Sequence, residues 1–123
     1  MNGFVGNIEE LTEANSNYRQ VIYTGPNIQL VLMVIQPGEE IGLEKHDTHD
    51  QFFRIEEGEG KILINGEESF LGDGIGAVVP AGAEHNVIND GTTPLKLYTI
   101  YAPPQHPAGT VHATKADEPA HDD

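Results

Sequence analysis

The chain has 123 residues, with 20 Asp and Glu against 6 Lys and Arg, and a formal net charge of −14. Nucleic acids and anionic membranes are held by clustered Lys and Arg, so a chain with so few, scattered cations is a poor match for either. Cysteine is absent, which removes disulfides, iron–sulfur clusters, thiolate zinc sites and cysteine nucleophiles together.

The N-terminal MNGFVGNIEE has neither the basic start nor the apolar core of a secretory leader, so a cytoplasmic location is expected. Residues 8–15 read as a short, polar helix. Strands are expected over residues 21–24, 29–35, 51–56, 60–64, 76–79, 85–89 and 95–101, rich in Val, Ile, Leu, Phe and Tyr. Turn signals such as TGPN, QPGEE, EEGEG, GDG and NDGTTP cut them apart. Asn65-Gly66, between two apolar stretches, is the dipeptide of a tight hairpin turn. Short strands and frequent turns imply an all-β sandwich or barrel. At this length one domain is expected, able to bury a core without staples. Residues 30–35 are apolar throughout, far short of the ~20 residues of a membrane helix. They need cover on both faces: a second sheet on one, and a partner subunit of a homodimer on the other. The domain is expected to span residues 1–111, followed by a flexible acidic tail over 112–123 with four acids and one Lys.

Residues two apart on a strand share a face. Gln51, Phe53 and Ile55 therefore point one way, and Phe52, Arg54 and Glu56 the other. A first block runs Gly38, five residues, Glu44-Lys45-His46, four residues, Gln51, six residues, Gly58. A second runs Gly74, five residues, Pro80-Ala81-Gly82, two residues, His85, three residues, Asn89. In these two blocks the chain resembles the cupin superfamily, whose two motifs space Gly, ligands and Pro in the same way. The flanking segments are similar to the small single-domain cupins grouped as mannose-6-phosphate-isomerase-like. The resemblance implies a double-stranded β-helix, or jelly-roll, cupin barrel with motifs at residues 38–58 and 74–89.

In metal-binding cupins the first motif supplies two His and a Glu, and the second motif one His. Carried over by position, the resemblance implies Glu44, His46, Gln51 and His85 as ligands of one divalent ion. Two positions depart from the pattern: Glu44 stands for the first His, and Gln51 for the Glu. The formal charge of the set is kept while one nitrogen donor becomes oxygen. Gln at the third position also occurs in cupins acting on unsaturated sugar acids or polyketides. Two imidazoles, a carboxylate and an amide suit Fe(II), Mn(II), Ni(II) or Zn(II).

The leading expectation is a metal-dependent enzyme of isomerase or tautomerase type on a small oxygenated or carbohydrate-like substrate. Fe(II)-dependent dioxygen chemistry and a non-catalytic barrel that binds a carbohydrate or other small ligand are the alternatives. Phe53, Ile55 and Val87 would wall the pocket. Arg54 would point away from it, which counts against a literal phosphosugar isomerase. His49 is expected on a loop near the mouth and His121 in solvent; His106 and His112 are expected on an exposed connector, the alternative being a segment folded over the barrel entrance. Tyr98 and Tyr101 are expected to pack structurally, the alternative being a phenol that takes part in proton transfer.

Overall fold

The computed structural model describes residues 3–119. Helix α1 (Ile8–Ala14) precedes ten strands: β1 (Arg19–Thr24), β2 (Gln29–Ile35), β3 (Glu44–Lys45), β4 (Asp50–Glu57), β5 (Gly60–Ile64), β6 (Glu67–Leu71), β7 (Gly76–Val79), β8 (Glu84–Ile88), β9 (Leu95–Ala102) and β10 (Val111–His112). A 3₁₀ turn over Lys115–Asp117 follows. Every pairing is antiparallel. One sheet has the order β10-β1-β2-β9-β4-β7 and the other β3-β8-β5-β6. Together they make the mostly-β double-stranded β-helix expected from the motifs. No helix among the described residues is long and apolar enough to cross a membrane.

All seven strands read from the sequence are present, within two residues at each end. Three more were missed. β6 is exposed at four of its five positions and opens on two acids, so it carries no apolar alternation. Pairing with β5 makes it a strand: Ile64 faces Glu67 across the two-residue turn Asn65-Gly66, whose φ values of 50° and 82° are both positive as a tight hairpin requires. β3 and β10 are two residues each, too short to leave a period in the sequence.

Cross-strand register sorts the interior into layers. Val31, Thr99 and Phe53 lie side by side, followed by Met33, Leu97 and Ile55, all fully buried. At the other end of the same strands Gln29, Tyr101 and Gln51 form a polar row. The barrel thus has an apolar floor and a polar mouth. Phe52 and Arg54 face outward, as the alternation requires. Glu56, on that same face, is buried beside Arg54, with Nη2 3.8 Å from Oε1, where β4 bulges between Ile55 and Glu57.

The outer face of the larger sheet has cover from its own chain. Helix α1 packs against β2, β4 and β9, and its Glu13 carbonyl accepts a hydrogen bond from Lys96 Nζ, an outward position of β9. Asn7 caps the helix through its Oδ1 and Glu10 N, and Glu9 and Glu10 favour the positive end of its dipole. The unbroken apolar run of β2 reflects this cover as well as the sheet-on-sheet core.

The segment expected to begin a flexible tail at residue 112 starts inside β10. Its described part, to residue 119, lies against β1: Arg19 pairs with His112, Tyr18 N donates to the Ala113 carbonyl, and Glu118 reaches Arg19. His121 lies outside the described residues.

Candidate metal centre

Glu44 on β3 sits directly opposite His85 on β8. His46 follows Glu44 by two residues and so returns to the same face. The turn of the second motif braces that return: Gly82 N donates to the His46 carbonyl at 2.9 Å, and Ala81 N to Asp50 Oδ1 at 2.9 Å. The result is a compact group. Ligand-capable atoms of Glu44, His46 and His85 all lie within 4.8 Å of one another. Glu44 Oε1 is 3.4 Å from His46 Nε2 and 3.9 Å from His85 Nε2, and the three side chains are at most 8% exposed.

Gln51 belongs to the neighbouring sheet and is 3% exposed. Its Nε2 donates to Thr99 Oγ1 at 2.9 Å, and that hydroxyl donates to the Phe52 carbonyl. The relay fixes the amide and leaves Oε1 as the uncommitted end. Six buried side-chain polar atoms among the described residues make no hydrogen bond; His46 Nε2, His85 Nε2 and Gln51 Oε1 are three of them. Buried polar atoms are normally paired, because each unpaired one costs about 1–3 kcal/mol. That three such atoms fall on three positions of the expected ligand set is what a site built for an ion requires. Nδ1 of His85 lies 3.4 Å from the Ala83 carbonyl; protonated there, the ring keeps its Nε2 lone pair for a metal.

The electrostatics suit the same use. Burial works to raise the Glu44 carboxyl, but the His46 imidazole 3.4 Å away, with His85 and Arg19 behind it, outweighs that cost, and its pKa lies below the usual carboxylate value. Burial lowers the pKa of His85. Near neutral pH the pair is therefore a carboxylate and a neutral imidazole, the forms in which both bind metal.

The other predicted residues divide. Phe53 and Val87 are buried beside the centre, with the Phe53 ring 6.1 Å from that of His85. His49 lies outside the group: its ring is 5.8 Å from His46, while Nδ1 meets Thr48 Oγ1 and Nε2 meets the Pro104 carbonyl, both at 3.1 Å. It is the loop residue near the mouth that the sequence implied. The exposed connector expected around His106 is instead folded across the mouth. Buried Gln29 holds it: Oε1 accepts from Gln105 N and His106 N, each at 3.0 Å, and Nε2 donates to the His106 carbonyl at 2.7 Å. His106 stands edge-on to Tyr101, ring centres 5.2 Å apart. Burial first, then the charge of Arg19, pushes the His106 pKa down to about 4. Burial and the Glu44 charge push the Tyr101 phenol up, so it stays protonated.

Sequence reasoning missed Gln29, Arg19 and Glu118. Arg19 sits on the inner side of β1, opposite Met33, and is 1% exposed. Its Nη1 binds Glu118 Oε2 at 2.8 Å. The only sequence signal was an Arg two residues ahead of an expected strand in a chain poor in cations.

The family model for the cupin domain matches residues 31–101. YrkC, an uncharacterized protein of Bacillus subtilis (strain 168), is 50% identical over 126 residues, covering 98% of this chain and 68% of that protein. The crystal structure of BH2720 from Bacillus halodurans superposes with a TM-score of 0.91 at 49% sequence identity, covering 93% of this chain and 91% of that one. ManC of Salmonella typhimurium, a mannose-1-phosphate guanylyltransferase, is 29% identical over 79 residues, which is 64% of this chain and 16% of that protein.

Proposed function

On the premise that this chain belongs to the cupin family, we propose that it is an enzyme that holds one divalent metal ion through Glu44, His46 and His85, with Gln51 completing the set, and isomerises a small oxygenated substrate. The observation that carries the reading is the buried, hydrogen-bond-free Nε2 of both histidines beside an ionised Glu44. Bound there, the ion supplies Lewis acidity that polarises a carbonyl or hydroxyl oxygen. The chain's own residues surround and orient the substrate. Phe53 and Val87 keep water from the inner side of the centre, which strengthens electrostatic interactions there. The Tyr101 phenol, held protonated, donates a hydrogen bond to a substrate oxygen. His106 remains neutral down to about pH 4 and stands at the mouth as a hydrogen-bond partner. The likeness to part of ManC supports a carbohydrate-like substrate.

The test is proton NMR in D2O of metal-loaded protein with a panel of hydroxy-carbonyl sugars. Loss of a substrate C–H signal by exchange, abolished by chelation and by His85→Ala, is expected. Exchange that persists after chelation contradicts the reading. The two-imidazole, one-carboxylate set also favours a second reading, Fe(II)-dependent oxygen chemistry. Oxygen consumption with Fe(II) and none with Zn(II) would select it.

A further inference from the structure

Three of the buried polar atoms without a hydrogen bond lie away from the candidate metal ligands: Arg54 Nε on the outer face of β4, and Tyr18 OH and Arg19 Nε. The last two belong together, since the Arg19 guanidinium lies over the Tyr18 ring at 5.1 Å from its centre. Tyr18 is 2% and Arg19 1% exposed. Arg19 is cross-strand neighbour to Met33, whose side chain is in the core, so it stands on the barrel's inner face.

Burying a guanidinium costs several kcal/mol unless its donors are met, and here they are met in part. The contacts seen are made by Nη1, to Glu118 Oε2 at 2.8 Å and to His112 Nδ1 at 3.2 Å. Glu118 follows the 3₁₀ turn of the C-terminal segment, and its side chain is 20% exposed. It is a carboxylate delivered to the barrel's cation by a surface segment, with Nε and the Tyr18 hydroxyl left over. A planar carboxylate on the Arg fork is a two-bond fit, which Glu118 makes through one nitrogen only.

We propose that Arg19 is the specificity-determining residue of the barrel, that it binds the carboxylate of a small oxygenated acid, and that Glu118 occupies its place in the free protein. This deepens the enzyme reading above by naming the substrate class. A divalent ion on Glu44 would add to the positive charge of Arg19, and an anionic substrate answers both. Glu118 then competes as a tethered ligand, at the effective concentration of a short linker, on the order of millimolar.

The experiment uses metal-free protein, so that it and the metal reading can fail separately. The probes are D-glycerate and glycerol, which differ only in the carboxylate. The readout is the Arg19 Nε–H resonance; Arg54 is the one other arginine in the chain. Glycerate is expected to shift that resonance saturably and glycerol to leave it in place. Glu118→Gln is expected to tighten glycerate about tenfold by removing the competitor, and Arg19→Lys to weaken it about tenfold by removing the fork. If Arg19→Lys does not fold, Glu118→Gln decides alone. Equal responses to glycerate and glycerol, or an unchanged glycerate affinity in Glu118→Gln, would overturn the proposal. Absence of a saturable metal site, with the glycerate response intact, would overturn the metal reading instead.

Discussion

At the scale of single residues, the two departures from the common ligand pattern acquire physical sense together. Glu44 takes the position facing His85 across β3 and β8, where its carboxylate meets both imidazoles. Gln51 surrenders its amide nitrogen to Thr99, so that only its oxygen remains to be used. Those four positions could be singled out in the sequence because motif spacing is local, and three of them come together in the fold. Arg19, His106 and Glu118 could not be, because they approach the centre only through pairings of β1 with β10 and through the Gln29 clamp, which join residues far apart in the chain. One of them sets a pH dependence. The folded pKa of His106 is depressed from 6.5 to about 4, so between those values the unfolded chain binds more protons than the folded one. Its contribution to stability is complete above pH 6.5 and is lost as pH falls through the window. Urea unfolding of the wild type between pH 7.5 and 5 should show a falling midpoint, and His106→Asn should flatten that fall. An equal fall in both proteins would remove His106 as the cause.

At the scale of elements, the site depends on turns that cannot be rebuilt with ordinary residues. Gly58 ends the first motif at φ +90°, and a Cβ there would run into the carbonyl oxygen of Pro94. Gly58→Ala therefore combines left-handed backbone strain with a backbone clash and should cost about 2 kcal/mol or more, read from the urea midpoint. The sequence marked this glycine by its spacing; the opposing carbonyl could only come from the fold. Gln29 works differently. It opens a strand that was fully legible, yet its side chain holds the segment after β9 in place. Gln29→Ala leaves the amides of Gln105 and His106 without an acceptor, a loss of about 2 kcal/mol. Hydrogen exchange at those two amides should accelerate while exchange in β4 and β9 changes little. Uniform acceleration would mean that Gln29 supports the barrel as a whole and not the strap across its mouth.

For the whole molecule, the order of the two sheets turns a short list of polar residues into one site. β3, the residue that follows it, and β8 of the smaller sheet present Glu44, His46 and His85, and β4 and β9 of the larger one present Gln51, Thr99 and Tyr101. The strands were readable from apolar composition and turn residues, and the antiparallel barrel from the two motifs. The cover given by α1 and the docking of residues 111–118 on β1 were not, because helix and tail are polar and bury little of themselves. A chain of net charge −14 encloses an interior where His46, His85 and Gln51 leave donor atoms unused. Calorimetric titration of metal-free protein with Mn(II) or Zn(II) at pH 7.5, beside Glu44→Gln and His85→Ala, puts that interior to the test. One ion per chain is expected in the wild type, with affinity reduced more than tenfold in each variant. No saturable site, or an affinity unchanged in both variants, would contradict a metal centre built on these residues.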